Sequence, residues 1–69
     1  MNIIKAIETK VCDFQDQTGK DAKTLYLGHK EYTDIRMHYS MFIRYNNVES
    51  FMDLILIRVN EDSYIGVGL

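Results

Sequence analysis

The chain has 69 residues, 46% of them hydrophobic, and a net charge of −2 at pH 7, which describes one small domain near the size at which a single core is only just sufficient. With one cysteine, Cys12, neither an internal disulfide nor a cysteine-based zinc site can reinforce it, and the slight acidic excess gives no basic field to gather nucleic acid. No apolar run approaches the roughly 20 residues that cross a bilayer, and Met1-Asn2-Ile3-Ile4-Lys5 lacks the apolar core of a signal peptide, so a soluble, cytoplasmic protein without a membrane partner is expected.

Ile3, Ile4, Ile7, Val11 and Phe14 recur at three- and four-residue spacing, which lines one side of a helix. Asn2 is a natural N-cap and Gly19 a natural C′ residue, so the first helix is predicted over residues 3–17. A polar connection follows. Thr24-Leu25-Tyr26-Leu27 then alternates and stops at Gly28, predicting a short strand with Leu25 and Leu27 toward the helices and Thr24 and Tyr26 on the other face. Gly28 is expected to serve the sharp turn from strand to helix.

A second helix is predicted to start at His29 or Lys30, carrying Tyr32, Ile35, Tyr39, Phe42 and Ile43 at helical spacing, and to break at Asn46-Asn47. From Met37 to Tyr45 large side chains would fall on several sides of it, more than one small sheet can cover. A second copy of the chain is the expected cover, a dimer first, with Met37, Met41, Phe42 and Tyr45 as interface anchors and Tyr39 and Ile43 in the core. Four Met, five Tyr and three Phe suit a surface that buries against a partner.

Val48 to Phe51 is a candidate edge strand. Leu54-Ile55-Leu56-Ile57-Arg58-Val59 is apolar at nearly every position, the pattern of a central strand covered on both faces. Asn60-Glu61-Asp62-Ser63 separates it from Tyr64-Ile65-Gly66-Val67-Gly68-Leu69, and the two runs are predicted to form an antiparallel hairpin. The expected fold is α+β over residues 1–69: helix, strand, helix, hairpin, with a three-stranded sheet, or four-stranded if Val48 to Phe51 joins, and both helices on one face.

Thr24-Leu25-Tyr26-Leu27-Gly28 before Lys30-Glu31-Tyr32, and Phe51-Met52-Asp53-Leu54 leading through Arg58-Val59 to Asp62-Ser63-Tyr64-Ile65-Gly66-Val67-Gly68, together resemble small uncharacterised bacterial proteins of phages and other mobile elements. A more distant similarity is to one segment of phage major capsid proteins, although this chain has Asp53 where that pattern has glycine. The resemblance implies a mobile-element origin and supplies no catalytic residues.

Several residue sets invite chemistry. Glu31, Asp34 and His38 would share one side of the second helix, and imidazole with two carboxylates suits a divalent transition metal; a solvated polar stripe is the preferred reading. Cys12 has no neighbouring His and lies far from its helix N-terminus, so a structural or semi-exposed thiol is expected rather than a nucleophile. Gly66 and Gly68 precede no helix and so form no phosphate loop, but the C-terminal strand edge could accept another strand. Lys20, Lys23, Lys30, Arg36, Arg44 and Arg58 are interleaved with Tyr26, Tyr45 and Tyr64, a thin basis for stacking on nucleic acid, which is not an expected partner.

No nucleophile, base and orienting group can be assembled from spacing. The expectation is therefore a non-enzymatic, self-associating interaction protein with no catalytic residue, metal or cofactor. The alternative is a binding module for a small ligand or nucleic acid that uses Tyr26, Arg58 and Tyr64 on the open sheet face.

Overall fold

The computed structural model describes residues 2–69. Helix α1 runs Ile3–Thr18, and its ends are set by local chemistry. The Asn2 side chain accepts from the amides of Ile4 and Lys5 at 3.0 and 3.4 Å. Gly19 closes the other end at φ 71°, donating to the Gln15 carbonyl at 2.8 Å, the left-handed stop that glycine adopts without a Cβ penalty.

Strand β1 (Thr24–Leu27) is followed by α2 (His29–His38), β2 (Ile43–Tyr45), β3 (Val48–Phe51), β4 (Leu54–Arg58) and β5 (Ile65–Gly68). The five strands form one sheet in the order β2-β3-β4-β1-β5. β1 pairs parallel to β4 and antiparallel to β5, while β2-β3 and β3-β4 are antiparallel ladders. Its class is the α+β expected, with five strands instead of three or four.

Leu25 and Leu27 of β1, Phe51 of β3, and Leu54 and Leu56 of β4 share one sheet face and are buried with Ile3 and Ile7 of α1 and Tyr32 and Ile35 of α2. Both helices therefore pack on that face, and their apolar stripes supply the burial that stabilises them.

Three expectations are corrected by the pairing. The two C-terminal runs do not form a hairpin: β1 lies between β4 and β5 and hydrogen-bonds to both. The six-residue connection between Arg58 and Ile65 carries the chain across β1, and its carbonyls are used by α2 (below). Second, α2 ends at His38, with Tyr39 already extended at φ −126° and ψ 128°. Ile43 to Tyr45 leave the helical path to pair with Val48 to Ser50, since ladder hydrogen bonds and the Asn46-Asn47 turn outweigh weak helical preference. Consequently Ile43 is exposed instead of in the core, and Val48 to Phe51 becomes an interior strand. Third, β4 is the middle strand, but it is covered on one face only: Leu54 and Leu56 are buried, whereas Ile55 and Ile57 are 50% and 43% exposed.

Both tight connections are two-residue loops with both residues at positive φ, Asn46 (51°) and Asn47 (65°), then Met52 (54°) and Asp53 (62°). That is the signature of the type I′ turn, whose twist matches a hairpin. Asn tolerates this conformation; Met does so only at a cost.

Candidate functional site

The connection between β4 and β5 closes over the start of α2. Gly28 and the first two helical residues donate in sequence: Gly28 N–H to the Tyr64 carbonyl (3.0 Å), His29 N–H to Glu61 (2.9 Å) and Lys30 N–H to Asp62 (3.0 Å). These carbonyls satisfy amides that a side-chain cap would otherwise serve, and α2 has no such cap. Glu31 locks the arrangement from the next position. Its buried carboxylate accepts from the Ser63 hydroxyl and from Tyr64 N–H at 3.0 Å. Burial alone pushes the Glu31 carboxyl up, but the hydrogen bonds from Ser63, Tyr64 and its own amide, with Lys30 adjacent, outweigh burial and hold it below its ordinary value.

Glu31 is thus a clamp and not part of a solvated stripe. Asp34 and His38 make a separate pair at 3.9 Å. Among the described residues no group of three or more His, Cys, Asp or Glu side chains is placed to hold a metal. Cys12 is exposed on α1.

The sheet face away from the helices is open. Register places Ile43 and Tyr45 of β2, Val48 and Ser50 of β3, Ile55 and Ile57 of β4, Thr24 and Tyr26 of β1, and Gly66 and Gly68 of β5 on it. None of these positions is charged. Ile43, Tyr45 and Val48 are 50% exposed or more. At one end the Tyr64 and Tyr26 rings lie where side chains at Gly66 and Gly68 would stand: a Cβ on Gly66 would be 2.9 Å from the Tyr64 ring, and one on Gly68 would be 3.3 Å from Tyr26. Aromatic rings covering strand glycines replace the packing those residues lack.

Of the residues expected to anchor an interface, only Tyr45 lies on this face. Met37 is exposed on α2 and Met41 in the loop after it. Phe42 is half-buried, packed edge-on against Tyr32 with centroids 6.0 Å apart, and Tyr39 meets Phe51 in the same manner at 5.9 Å; both belong with the core. Of the alternative trio, Tyr26 and Tyr64 come together over β5. Arg58 pairs in register with Leu27, on the helix side, and its guanidinium sits 4.4 Å from the Tyr32 ring centroid.

Tyr32 gathers more charge than periodicity revealed. Arg36, one turn along α2, lies 5.9 Å from the same ring, and the Tyr32 hydroxyl donates to Glu49 Oε2 at 2.5 Å. Burial first, and then the hydrogen bond and charge of Glu49, raise the Tyr32 phenol above its ordinary value, against an opposing pull from Arg58 and Arg36.

Comparisons with protein-family models, with curated proteins and with solved structures found no match to the chain. Among the described residues no helix is long and apolar enough to cross a membrane.

Proposed function

We propose that the chain is a non-enzymatic interaction protein that works as a homodimer, two copies stacking their open sheet faces. The observation that carries this reading is the five-stranded face without a charge, whose middle strand, Leu54-Ile55-Leu56-Ile57, has the continuous apolar run of a strand covered on both sides. In a single copy only the helix side is covered.

Two arguments favour a second copy as the cover. An uncharged patch meets its own image without like-charge repulsion, as a two-fold interface requires. The surface area also runs high: the scaling for folded monomers gives about 4,500 Å² for 8.1 kDa, against 5014 Å² observed. An excess of about 500 Å² per copy, doubled, reaches the roughly 1,000 Å² that a specific interface should clear. Sheet-on-sheet packing at about 10 Å separation is an ordinary way to bury such faces.

The test is light scattering after size exclusion, across a dilution series, for wild type and Ile55→Lys. The expected result is a dimeric wild type and a folded, monomeric variant, since a lysine at the middle of the patch would be desolvated on stacking. A wild type that is monomeric throughout, or a variant that stays dimeric, overturns the reading.

A further inference from the structure

The helix side of the molecule carries a second feature, independent of the open face. The chain is acidic overall, yet two of its three arginines, Arg36 and Arg58, come together on the Tyr32 ring, where α2 meets β4. Arg36 and Arg58 flank the Tyr32 ring and line one depression of about 430 Å³ with Thr33 and Met37. Arg44 stands opposite Glu49 in the β2-β3 ladder.

Ordinarily such guanidinium groups are neutralised by neighbouring carboxylates. Here the salt bridge present among the described residues joins His38 to Asp34, and neither Arg36 nor Arg58 has an acidic oxygen within bonding reach. The carboxylate in the cluster, Glu49, is engaged by the Tyr32 hydroxyl, and that hydroxyl is fixed because the rest of Tyr32 is buried. The ring in turn restrains both arginines by cation–π contact. Two cationic forks are thereby held at the mouth of one depression with their donors unspent.

We infer that the Arg36–Tyr32–Arg58 depression is a binding site for a phosphoryl group, carried by inorganic phosphate or a small phosphate monoester. The guanidinium fork matches the spacing of phosphate oxygens and donates two parallel hydrogen bonds to them; two forks on one aromatic support offer more donors than a single carboxylate can use. Thr33, exposed on the rim, adds a hydroxyl donor, and exposed Met37 gives apolar footing for an ester substituent. Because the site faces away from the open sheet, stacking of two copies leaves it accessible.

The experiment is an NMR titration of the full chain at constant ionic strength, following the Arg Nε–H signals with inorganic phosphate and separately with phenyl phosphate, and with chloride as the control. Expected is saturable movement of the Arg36 and Arg58 signals, with Arg44 responding less, and an apparent Kd about tenfold or more weaker in Arg58→Gln and Arg36→Gln. Both side chains are exposed, so the variants should keep the fold, checked by circular dichroism. Tighter binding of phenyl phosphate than of phosphate identifies a monoester as the ligand; equal binding identifies the free ion. Linear drift of all three arginines, as chloride gives, or an unchanged Kd in Arg58→Gln, overturns the site. Light scattering on the same samples keeps this outcome separate from that of the dimer.

Discussion

Gly28 donates to the Tyr64 carbonyl at 3.0 Å, and a Cβ built on Gly28 would stand 2.7 Å from the Tyr64 nitrogen, with Glu61 O and Ser63 C at 2.9 Å. All three obstructing atoms are backbone, and Gly28 has an ordinary φ of −72°. Glycine is therefore required there by the close approach of another chain segment, and the sharp turn into α2 imposes no such demand. Gly28→Ala should lower stability by about 2 to 4 kcal/mol, the upper range for overpacking against a part that cannot yield. Gly19→Ala, at positive φ but with open space around it, should cost about 1 kcal/mol. Urea midpoints of the two variants check the ranking.

The Glu31 clamp predicts an acid limb of the stability curve. A carboxyl whose value in the folded chain lies below 4.5 contributes stability that is present above that ordinary value and lost as pH falls through the folded one. Glu31→Gln should cost about 1 to 3 kcal/mol near neutrality, because a buried hydrogen-bonded group loses a charged partner. The gap between wild type and variant should narrow below about pH 4.5. Thermal unfolding from pH 7 to 3 measures it; a constant gap would mean that Glu31 stays protonated or unpaired in the folded chain.

At the opposite end of the scale, Tyr32→Phe removes the hydroxyl that occupies Glu49 and should cost about 1 to 2 kcal/mol at pH 7. The raised phenol value means that its contribution is present below about pH 10, the ordinary value, and fades as pH rises through the higher folded value. Absorbance titration of the tyrosinate band should show one tyrosine in wild type that ionises above the ordinary value and is missing from the variant.

Asp53 is exposed and held at φ 62° in the β3-β4 turn. Asp53→Gly should raise stability by about 0.5 to 1 kcal/mol, since glycine adopts this region without a Cβ clash. Chemical denaturation of the variant, with the denaturant slope unchanged, is the check.

Phe42 and Tyr45, three residues apart, should respond differently to the same change. Phe42→Asp removes an aromatic packed on Tyr32 and buries a charge beside the core, so a loss of about 3 kcal/mol or more is expected. Tyr45 is 74% exposed in the single chain, and Tyr45→Asp should leave the monomer's unfolding free energy within about 0.5 kcal/mol while weakening self-association. Unfolding measured at several protein concentrations separates the two effects.

Much of the chain's local structure is legible in its sequence. The apolar stripe from Ile3 to Phe14, the Asn2 cap and the Gly19 stop define α1 to within a residue of Ile3–Thr18, because helix periodicity and capping act over a few residues. The alternation of Thr24 to Leu27 likewise gave β1 and the side to which its leucines turn. β2 was missed because Met37 to Tyr45 satisfies helical spacing; the contrary signal was Asn46-Asn47 with Ile43 and Tyr45 before it and Val48 after it, a hairpin turn between strand-forming residues.

Partnership across long sequence separation was decided by tertiary structure alone. Whether the last run pairs with Leu54 to Arg58 or with β1 depends on which ladder buries more surface and satisfies more amides, and the α2 terminus favours the connection passing over β1 to reach it. The same holds for Glu49 and Arg58, which share no spacing rule with the Tyr32–Arg36 pair of α2 and meet it only because Tyr32 reaches β3 and β4. Sequence determined which segments were helix or strand wherever the controlling interactions were local; the sheet order, the open face and the arginine depression arose from contacts between segments that no local pattern encodes.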